Sequence, residues 1–170
     1  MRFLKINILL VFFVVSCAPI YVNYDYDKTI TFKDYKTYQY YGDMETGLSE
    51  LETKRLLNAI DAKMEVKGFS ISETPDFFID IKSQEYQASQ SQNVGVGLGN
   101  GVGGISIGIP IGQININRQI TIDFVDENKK QLFWQAISES SFNPKATPEK
   151  REVRLQAIVE KVLKAYPPKS

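Results

Sequence analysis

The feature that most constrains the fold is a strict alternation of apolar and polar residues from 114 to 124. One side carries Ile114, Ile116, Ile120, Ile122 and Phe124, and the other carries Asn115, Asn117, Gln119, Thr121 and Asp123. Because successive side chains of a strand point to opposite faces, this segment predicts a strand with one buried and one wet face. A slip of one residue would invert both faces, so the register is strongly specified. Arg118 is the one charged residue in the apolar row.

Three further segments have the composition of strands. Residues 31–41 are rich in threonine and aromatic residues and end at Gly42, which is typical of a strand closed by a turn. Residues 69–71 together with 76–86 predict a second strand, with Phe77, Ile79 and Ile81 on one face. Residues 131–140 predict a fourth strand, which follows the third through a short hairpin at 126–130.

Two segments have helical periodicity and helix-capping signals. Ser49 and Glu52 have the spacing of a capping box, and Leu56, Ile60 and Met64 follow at intervals of four residues. Gly68 occupies the position where such a helix ends. The second helix begins at Thr147-Pro148 and ends at Pro167-Pro168. Its apolar stripe consists of Leu155, Ile158, Val159, Val162 and Tyr166.

The order strand, helix, strand, strand, strand, helix predicts an α+β two-layer sandwich. We expect a mainly antiparallel four-stranded sheet with both helices on one face. A long glycine-rich insert, residues 91–112, separates the second and third strands.

The N-terminus predicts the location of the protein. Arg2 and Lys5 precede an apolar run from Ile8 to Val15, which has the length of a signal peptide and is too short to span a bilayer. Val14-Val15-Ser16-Cys17 resembles the lipobox of bacterial lipoproteins, which implies cleavage before Cys17 and acylation of that residue. The alternative is a signal-anchor in which Cys17 is incidental. By resemblance to lipoprotein sorting signals, Ala18-Pro19 after the cysteine favours the outer membrane over retention in the inner membrane.

We therefore divide the chain into a lipoprotein signal peptide at 1–16, a tether at 17–28 and a single domain at 29–168. Without the signal peptide, 18 basic and 20 acidic residues remain, a net charge near −2, which does not favour nucleic acid as a partner. Cys17 is the only cysteine, so no disulfide within the chain is possible.

The glycine-rich insert allows three interpretations. Gly99, Gly101 and Gly104 match the dinucleotide-binding spacing, but the sequence that follows cannot begin a helix. Glycines also recur every four residues, as in membrane helices that pack closely, although so many glycines disfavour a helix. We interpret the insert as a flexible loop or hairpin arm that can order on a partner by strand addition.

Reactive groups are few. The chain has no histidine, and Cys17 is assigned to lipidation, so we predict no catalytic residues, no cofactor and no metal site. Asp76 and Asp80 would stand about 13 Å apart on one strand, too far for a glycosidase pair. Residues 23–34 contain oxygen ligands at calcium-loop spacing, but Lys28 stands where the loop requires glycine. Trp134 is predicted to pack in the core, with an aromatic binding surface as the alternative.

Several short motifs together resemble the DUF4136 family of bacterial lipoproteins, over roughly residues 21–168. They are Tyr24-Asp25-Tyr26-Asp27, Phe32, Tyr35-Lys36-Thr37-Tyr38, Lys67-Gly68, Pro75-Asp76, Ile122-Asp123-Phe124-Val125-Asp126, Leu132-Phe133-Trp134 and Tyr166-Pro167-Pro168. The resemblance implies a lipobox and a glycine-rich insert before the third strand. It implies no activity, because the family has none assigned and offers no catalytic residues to transfer.

These observations predict a non-enzymatic lipoprotein of the cell envelope, anchored through Cys17, that binds an envelope protein through its sheet face or its glycine arm. The alternative is a carrier that holds a small molecule or lipid in a cavity between helices and sheet.

Overall fold

The computed structural model describes residues 18–87 and 116–168, which form an α+β domain with helices and strands in two layers. The strands are β1 Ile20–Tyr26, β2 Thr37–Tyr40, β3 Ser70–Ile71, β4 Phe77–Gln87, β5 Ile116–Asp126 and β6 Leu132–Phe142. The helices are α1 Glu50–Val66 and α2 Pro148–Leu163, and a short 3-10 turn spans Phe32–Asp34.

The sheet has six strands in the order β1-β6-β5-β4-β2-β3, so the prediction of four strands is wrong. β1, β6, β5 and β4 pair antiparallel, whereas β2 pairs parallel with both β4 and β3, which makes the sheet mixed. The predicted second strand is in fact two strands: β3 turns away to pair with β2, and β4 begins after the loop at 72–76. The predicted first strand is shortened to β2 by the 3-10 turn.

The interpretation of residues 17–28 as a tether is wrong for 20–26, which form β1. This strand pairs with β6 along its whole length, from Ile20 opposite Ser140 to Tyr26 opposite Trp134. Its Asn23 and Asp25 suggested turns, but an edge strand needs apolar residues on one face only. Ile20 and Val22 supply that face and pack against the core.

The two ends of the sheet are defined by strand register. At one end Ile20, Ser140, Arg118 and Glu85 stand side by side on four neighbouring strands, and we call this the Ile20 end. At the other end the turn at 127–131 joins β5 to β6, as predicted, and we call this the hairpin end. The eight residue steps from Arg118 to Asp126 separate the two ends by about 26 Å, at roughly 3.3 Å per residue.

Both helices lie on the sheet face that carries Ile79, Ile122 and their neighbours. The predicted capping signals are confirmed: the Ser49 hydroxyl accepts from the Glu52 N–H at 3.3 Å, and Thr147 accepts from the Lys150 N–H at 3.4 Å. Leu56, Ile60 and Met64 are fully buried beneath α1. The two helices run parallel, since Arg151 lies beside Glu52 and Lys63 forms an ion pair with Glu160. Both run from the Ile20 end, where Glu52 contacts Arg118, towards the hairpin end, where Tyr166 contacts Trp134.

Two glycines fix the backbone on either side of α1. Gly68 ends the helix at φ +86, in the left-handed region that only glycine adopts without strain. Gly47 lies at φ +71, and a Cβ there would stand 2.5 Å from the carbonyl oxygen of Ser83. The loop before α1 can therefore run along the edge of β4, where the N–H of Ser83 donates to the carbonyl of Thr46 at 2.7 Å.

An aromatic cluster fills the space between helices and sheet towards the hairpin end. Phe77, Phe124, Phe133, Trp134 and Tyr166 are buried there, with neighbouring ring centroids 4.6–6.5 Å apart. The prediction that Trp134 belongs to the core is confirmed. A register shift after Phe124 lets the adjacent residues Phe133 and Trp134 both enter the core, which strict alternation would forbid.

Candidate functional site

The predicted lipidation site, Cys17, lies outside the described residues, but the residues directly after it are held in place. The Arg154 guanidinium donates to the carbonyl oxygens of Ala18 at 2.6 Å and Pro19 at 3.1 Å. The Lys161 ammonium donates to the carbonyl of Ile20 at 3.0 Å. Nothing in the sequence pattern indicated these contacts, because both cations lie on α2, more than a hundred residues away along the chain. The chain is thus fixed to the domain from Ala18 onward.

The Ile20 end contains a buried ion cluster around Arg118. Its Nη1 donates to Glu52 Oε1 at 2.9 Å and its Nη2 to Glu85 Oε1 at 2.6 Å, while its guanidinium lies 3.6 Å from the centre of the Phe142 ring. The side chains of Arg118 and Glu52 are only 7% and 5% exposed. The arginine that interrupts the apolar row of β5 is therefore one of the residues that join α1 to the sheet.

Attraction between the charges of this cluster changes the pKa of Glu52. Burial alone would raise the pKa of Glu52, but hydrogen bonds and charge attraction from Arg118 outweigh it, so the pKa lies below its ordinary value. Glu52 therefore stays ionised and serves as the permanent partner of Arg118. Arg118 thus joins two carboxylates, the buried Glu52 and the more exposed Glu85, and Arg151 lies 3.8 Å from Glu52 as a second cation.

The opposite face of the sheet, which we call the open face, is not covered by either helix in the part of the chain described. It carries the side chains that alternate with the buried ones, and they are exposed or half-buried. Four carboxylates and one lysine lie on its four long strands: Asp25, Glu139, Asp123, Asp80 and Lys82. This face is therefore acidic, although the full chain has a formal net charge of zero.

Asp80 and Asp123 stand directly opposite each other on β4 and β5 of the open face. Asp80 accepts from the Lys82 ammonium and Asp123 from the Gln135 amide, each at 2.8 Å. Burial and, to a smaller extent, the charge of Asp80 raise the pKa of Asp123 above its usual value. Like charges in direct register are destabilising, so this pair is a local cost to the fold.

The described surface has two grooves that bear on the carrier hypothesis. One, of about 490 Å³, lies on the outer side of α1 and α2 between Arg55, Lys63 and Glu152. The other, of about 750 Å³, lies beside the loop before α1, where Tyr40 and Tyr38 both donate to Asp61 Oδ1, at 2.6 and 2.8 Å. Both are open surface features, whereas the space between helices and sheet is filled by the aromatic cluster. The carrier hypothesis stays a prediction that neither groove favours.

Two of the acidic residues considered from sequence, Asp76 and Asp27, form hydrogen bonds that hold the backbone. Asp76 accepts from the N–H groups of Lys36 and Thr37, each at 2.8 Å, and joins β2 to the start of β4. Asp25, one of the calcium-spaced oxygen ligands, lies in β1, and the Asp27 side chain accepts from Thr29. Within residues 18–87 and 116–168 there is no group of three potential metal ligands, and no helix is long and apolar enough to cross a membrane.

Comparison with known sequences identifies the family. The sequence profile of DUF4136, a domain of unknown function, matches residues 22–168. The chain belongs to this family, which confirms the resemblance drawn from its motifs. Comparison with curated proteins gives no match.

A solved structure has a similar fold. A PDZ domain protein from Parabacteroides distasonis superposes with a TM-score of 0.56 at 14% identity, over 90% of this chain and 36% of that one. This chain thus spans about a third of that protein's length, and the likeness concerns the fold alone. A PelC dodecamer from Paraburkholderia phytofirmans gives a TM-score of 0.48 at 10% identity, over 85% of this chain and 95% of that one.

Proposed function

We propose that this protein is a non-enzymatic interaction module of the bacterial cell envelope, anchored through lipid on Cys17, with its open face as the surface that binds a partner. The observation that carries the proposal is the acidic open face: two aligned strands keep Asp80 and Asp123 opposed although the pair destabilises the sheet. Such a cost is expected where the residues serve binding rather than folding.

The anchor is supported by the lipobox and by the fixed position of Ala18. Two or three acyl chains hold a protein firmly at a membrane, whereas one gives only reversible binding. Ala18-Pro19 favours the outer membrane as the site of attachment. The absence of histidine and the commitment of the only cysteine to the anchor support a non-enzymatic role.

The charge of the open face indicates which kind of surface a partner would present. Four carboxylates against one lysine give the open face a negative field, so we propose that it binds a basic surface of an envelope protein. Attraction between exposed charges weakens as salt rises, because the screening length falls to about 8 Å at physiological ionic strength.

The anchor is tested by fractionation and mass spectrometry of the full chain expressed in bacteria. We expect the protein in the membrane fraction, with an N-terminal peptide that begins at Cys17 and carries acyl chains. Cys17→Ala should release it from the membrane. An N-terminus other than Cys17, or an unchanged membrane fraction in the variant, would contradict the anchor.

The binding face is tested by in-cell photocrosslinking from two pairs of exposed positions. Crosslinkers replace Asp25 or Lys82 on the open face, and Leu51 or Val153 on the helices as matched controls. We expect a discrete crosslinked product from the first pair only, with a yield that falls in washed membranes as salt rises. Products from the helix positions alone, or equally from all four, would contradict the assignment of the open face.

A further inference from the structure

The segment before β1, the end of β4 and the start of β5 lie together at the Ile20 end of the sheet. Ala18 precedes Ile20 by two residues, and Ile20 pairs with Ser140. The chain leaves β4 at Gln87 and enters β5 at Ile116, which stand opposite each other and next to Phe142. The residue proposed to carry lipid therefore attaches at one defined end of the sheet.

Almost no flexible linker lies between Cys17 and the domain. Cys17 is one peptide unit, about 3.8 Å between Cα atoms, from Ala18. The carbonyl oxygens of Ala18, Pro19 and Ile20 are each held by Arg154 or Lys161. A lipid on Cys17 would thus draw the Ile20 end itself to the bilayer surface, because no free tether lies between them.

Two exposed tyrosines on the open face lie next to this end. Tyr21 is 66% exposed on β1 and Tyr86 is 40% exposed on β4. Tyr21 lies opposite Glu139 on β6, and Tyr86 lies opposite Asn117 on β5. These are the two cross-strand rows of the open face that lie nearest to the Ile20 end. Tyrosine is enriched at membrane–water interfaces, because its ring is apolar and its hydroxyl group forms hydrogen bonds with water. The tip of the hairpin end instead consists of Glu127, Asn128, Lys129 and Lys130.

From these observations we infer that the Ile20 end rests on the lipid surface, with Tyr21 and Tyr86 at the headgroup level and the strands pointing away from the membrane. This inference rests on the proposed lipid anchor and adds an orientation to it. The acidic row of Asp25, Asp123 and Asp80 then lies beyond the headgroups, where a protein partner can reach it.

The orientation is tested with the full lipidated chain in vesicles of phosphatidylethanolamine and phosphatidylglycerol that contain a nitroxide-labelled lipid. A thiol-reactive fluorophore is placed by Ser141→Cys at the Ile20 end or by Asn128→Cys at the hairpin end. Both positions are exposed and polar, so they form a matched pair. The Cys17 sulfur, as a thioether, does not react with the label.

We expect quenching by the nitroxide lipid to be several-fold stronger at position 141 than at position 128. Tyr21→Ala combined with Tyr86→Ala should reduce that difference, whereas Tyr24→Ala should not. Equal quenching at both ends, or stronger quenching at position 128, in protein that carries acyl chains would overturn the orientation and leave the anchor standing. Protein without acyl chains on Cys17 would overturn both.

Discussion

At the scale of single residues, the buried tyrosine hydroxyl groups are of two kinds. Tyr35 donates to Asp126 at 2.6 Å, and this carboxylate also accepts from the Lys129 N–H at 2.7 Å. Tyr166 is 1% exposed, and its hydroxyl has no hydrogen-bond partner among residues 18–87 and 116–168. The same holds there for the indole nitrogen of Trp134. Removing the hydroxyl groups of Tyr35 and Tyr166 should therefore have opposite effects on the stability of the domain.

We expect Tyr35→Phe to lower the free energy of unfolding by about 1.5–3 kcal/mol, because it breaks a buried hydrogen bond to a charged group. Tyr166→Phe should leave stability unchanged or raise it, because it removes a polar group that gains nothing from burial. Urea unfolding followed by fluorescence of Trp134, the only tryptophan, measures both. A larger loss for Tyr166→Phe than for Tyr35→Phe would contradict this account.

The Arg118 cluster gives a second prediction. Arg118→Met should destabilise the domain by about 3–5 kcal/mol, because it leaves Glu52 as a buried charge without its main partner. Glu85→Gln is the matched control, since Glu85 is 44% exposed, and its loss should cost about 0–1 kcal/mol. Adding Glu52→Gln to Arg118→Met should recover much of the stability. Equal losses for Arg118→Met and Glu85→Gln would show that burial does not govern the cluster.

At this scale the sequence showed that Arg118 is a charged residue in an apolar row, but it did not show which residues pair with that charge. Glu52 was predicted as a capping residue, and its contact with Arg118 joins positions 66 residues apart. No local pattern encodes such a distance, because the contact depends on how α1 crosses the sheet. The contacts of Arg154 and Lys161 with the N-terminal carbonyls were unpredictable for the same reason.

At the scale of elements, β1 is part of the domain and contributes to its stability. Ile20 is 7% exposed on the core face, whereas the adjacent Tyr21 is 66% exposed on the open face. Ile20→Ala should lower the free energy of unfolding by about 2 kcal/mol or more, and Tyr21→Ala should change it by less than about 0.5 kcal/mol. Urea unfolding compares the two neighbours directly. If residues 20–26 were a tether, both variants would unfold like the wild type.

Elements with strong local signals were predictable and those defined by pairing were not. The helices have caps and apolar stripes that act within a few residues, so their starts at Glu50 and Pro148 follow from Ser49 and Thr147. β3 has two residues, and its only reason to be a strand is the parallel partner that β2 offers. The shift that sends both Phe133 and Trp134 inward breaks the alternation on which strand prediction depends.

At the scale of the whole molecule, stability should depend on pH through several carboxyl groups. For Glu52, Asp76 and Asp126, burial acts to raise the pKa, but hydrogen bonds outweigh it, so each pKa lies below its ordinary value. A lowered folded pKa contributes stability above the unfolded value, about 4, and that contribution is lost as pH falls through the folded pKa. We expect the free energy of unfolding, measured by urea titration, to be constant near neutrality and to fall below pH about 4. Asp126→Asn should flatten that fall.

Asp123 should change the pH dependence of stability in the opposite direction. Its folded pKa is raised, so its contribution is present below the unfolded pKa, about 3.9, and is lost as pH rises. Asp123→Asn should therefore increase stability at pH 7 by up to about 1 kcal/mol and change little at pH 3. The same variant should weaken crosslinking to the partner. Loss of stability at pH 7 would show that the opposed aspartates are not a cost to the fold.

The pairing of β1 with β6 also determines the order in which the domain can form. Ile20 pairs with Ser140, which is made 120 residues later, so β1 has no partner within the described sheet until β6 exists. Pairings so distant in sequence form slowly, because the loop-closure entropy must be overcome first. During synthesis the first strand of the chain is the last edge to close. Until β6 is made, the segment next to Cys17 has no strand partner that would hold it away from the proposed modification, and pairing of β1 with β6 then fixes this end of the chain in place.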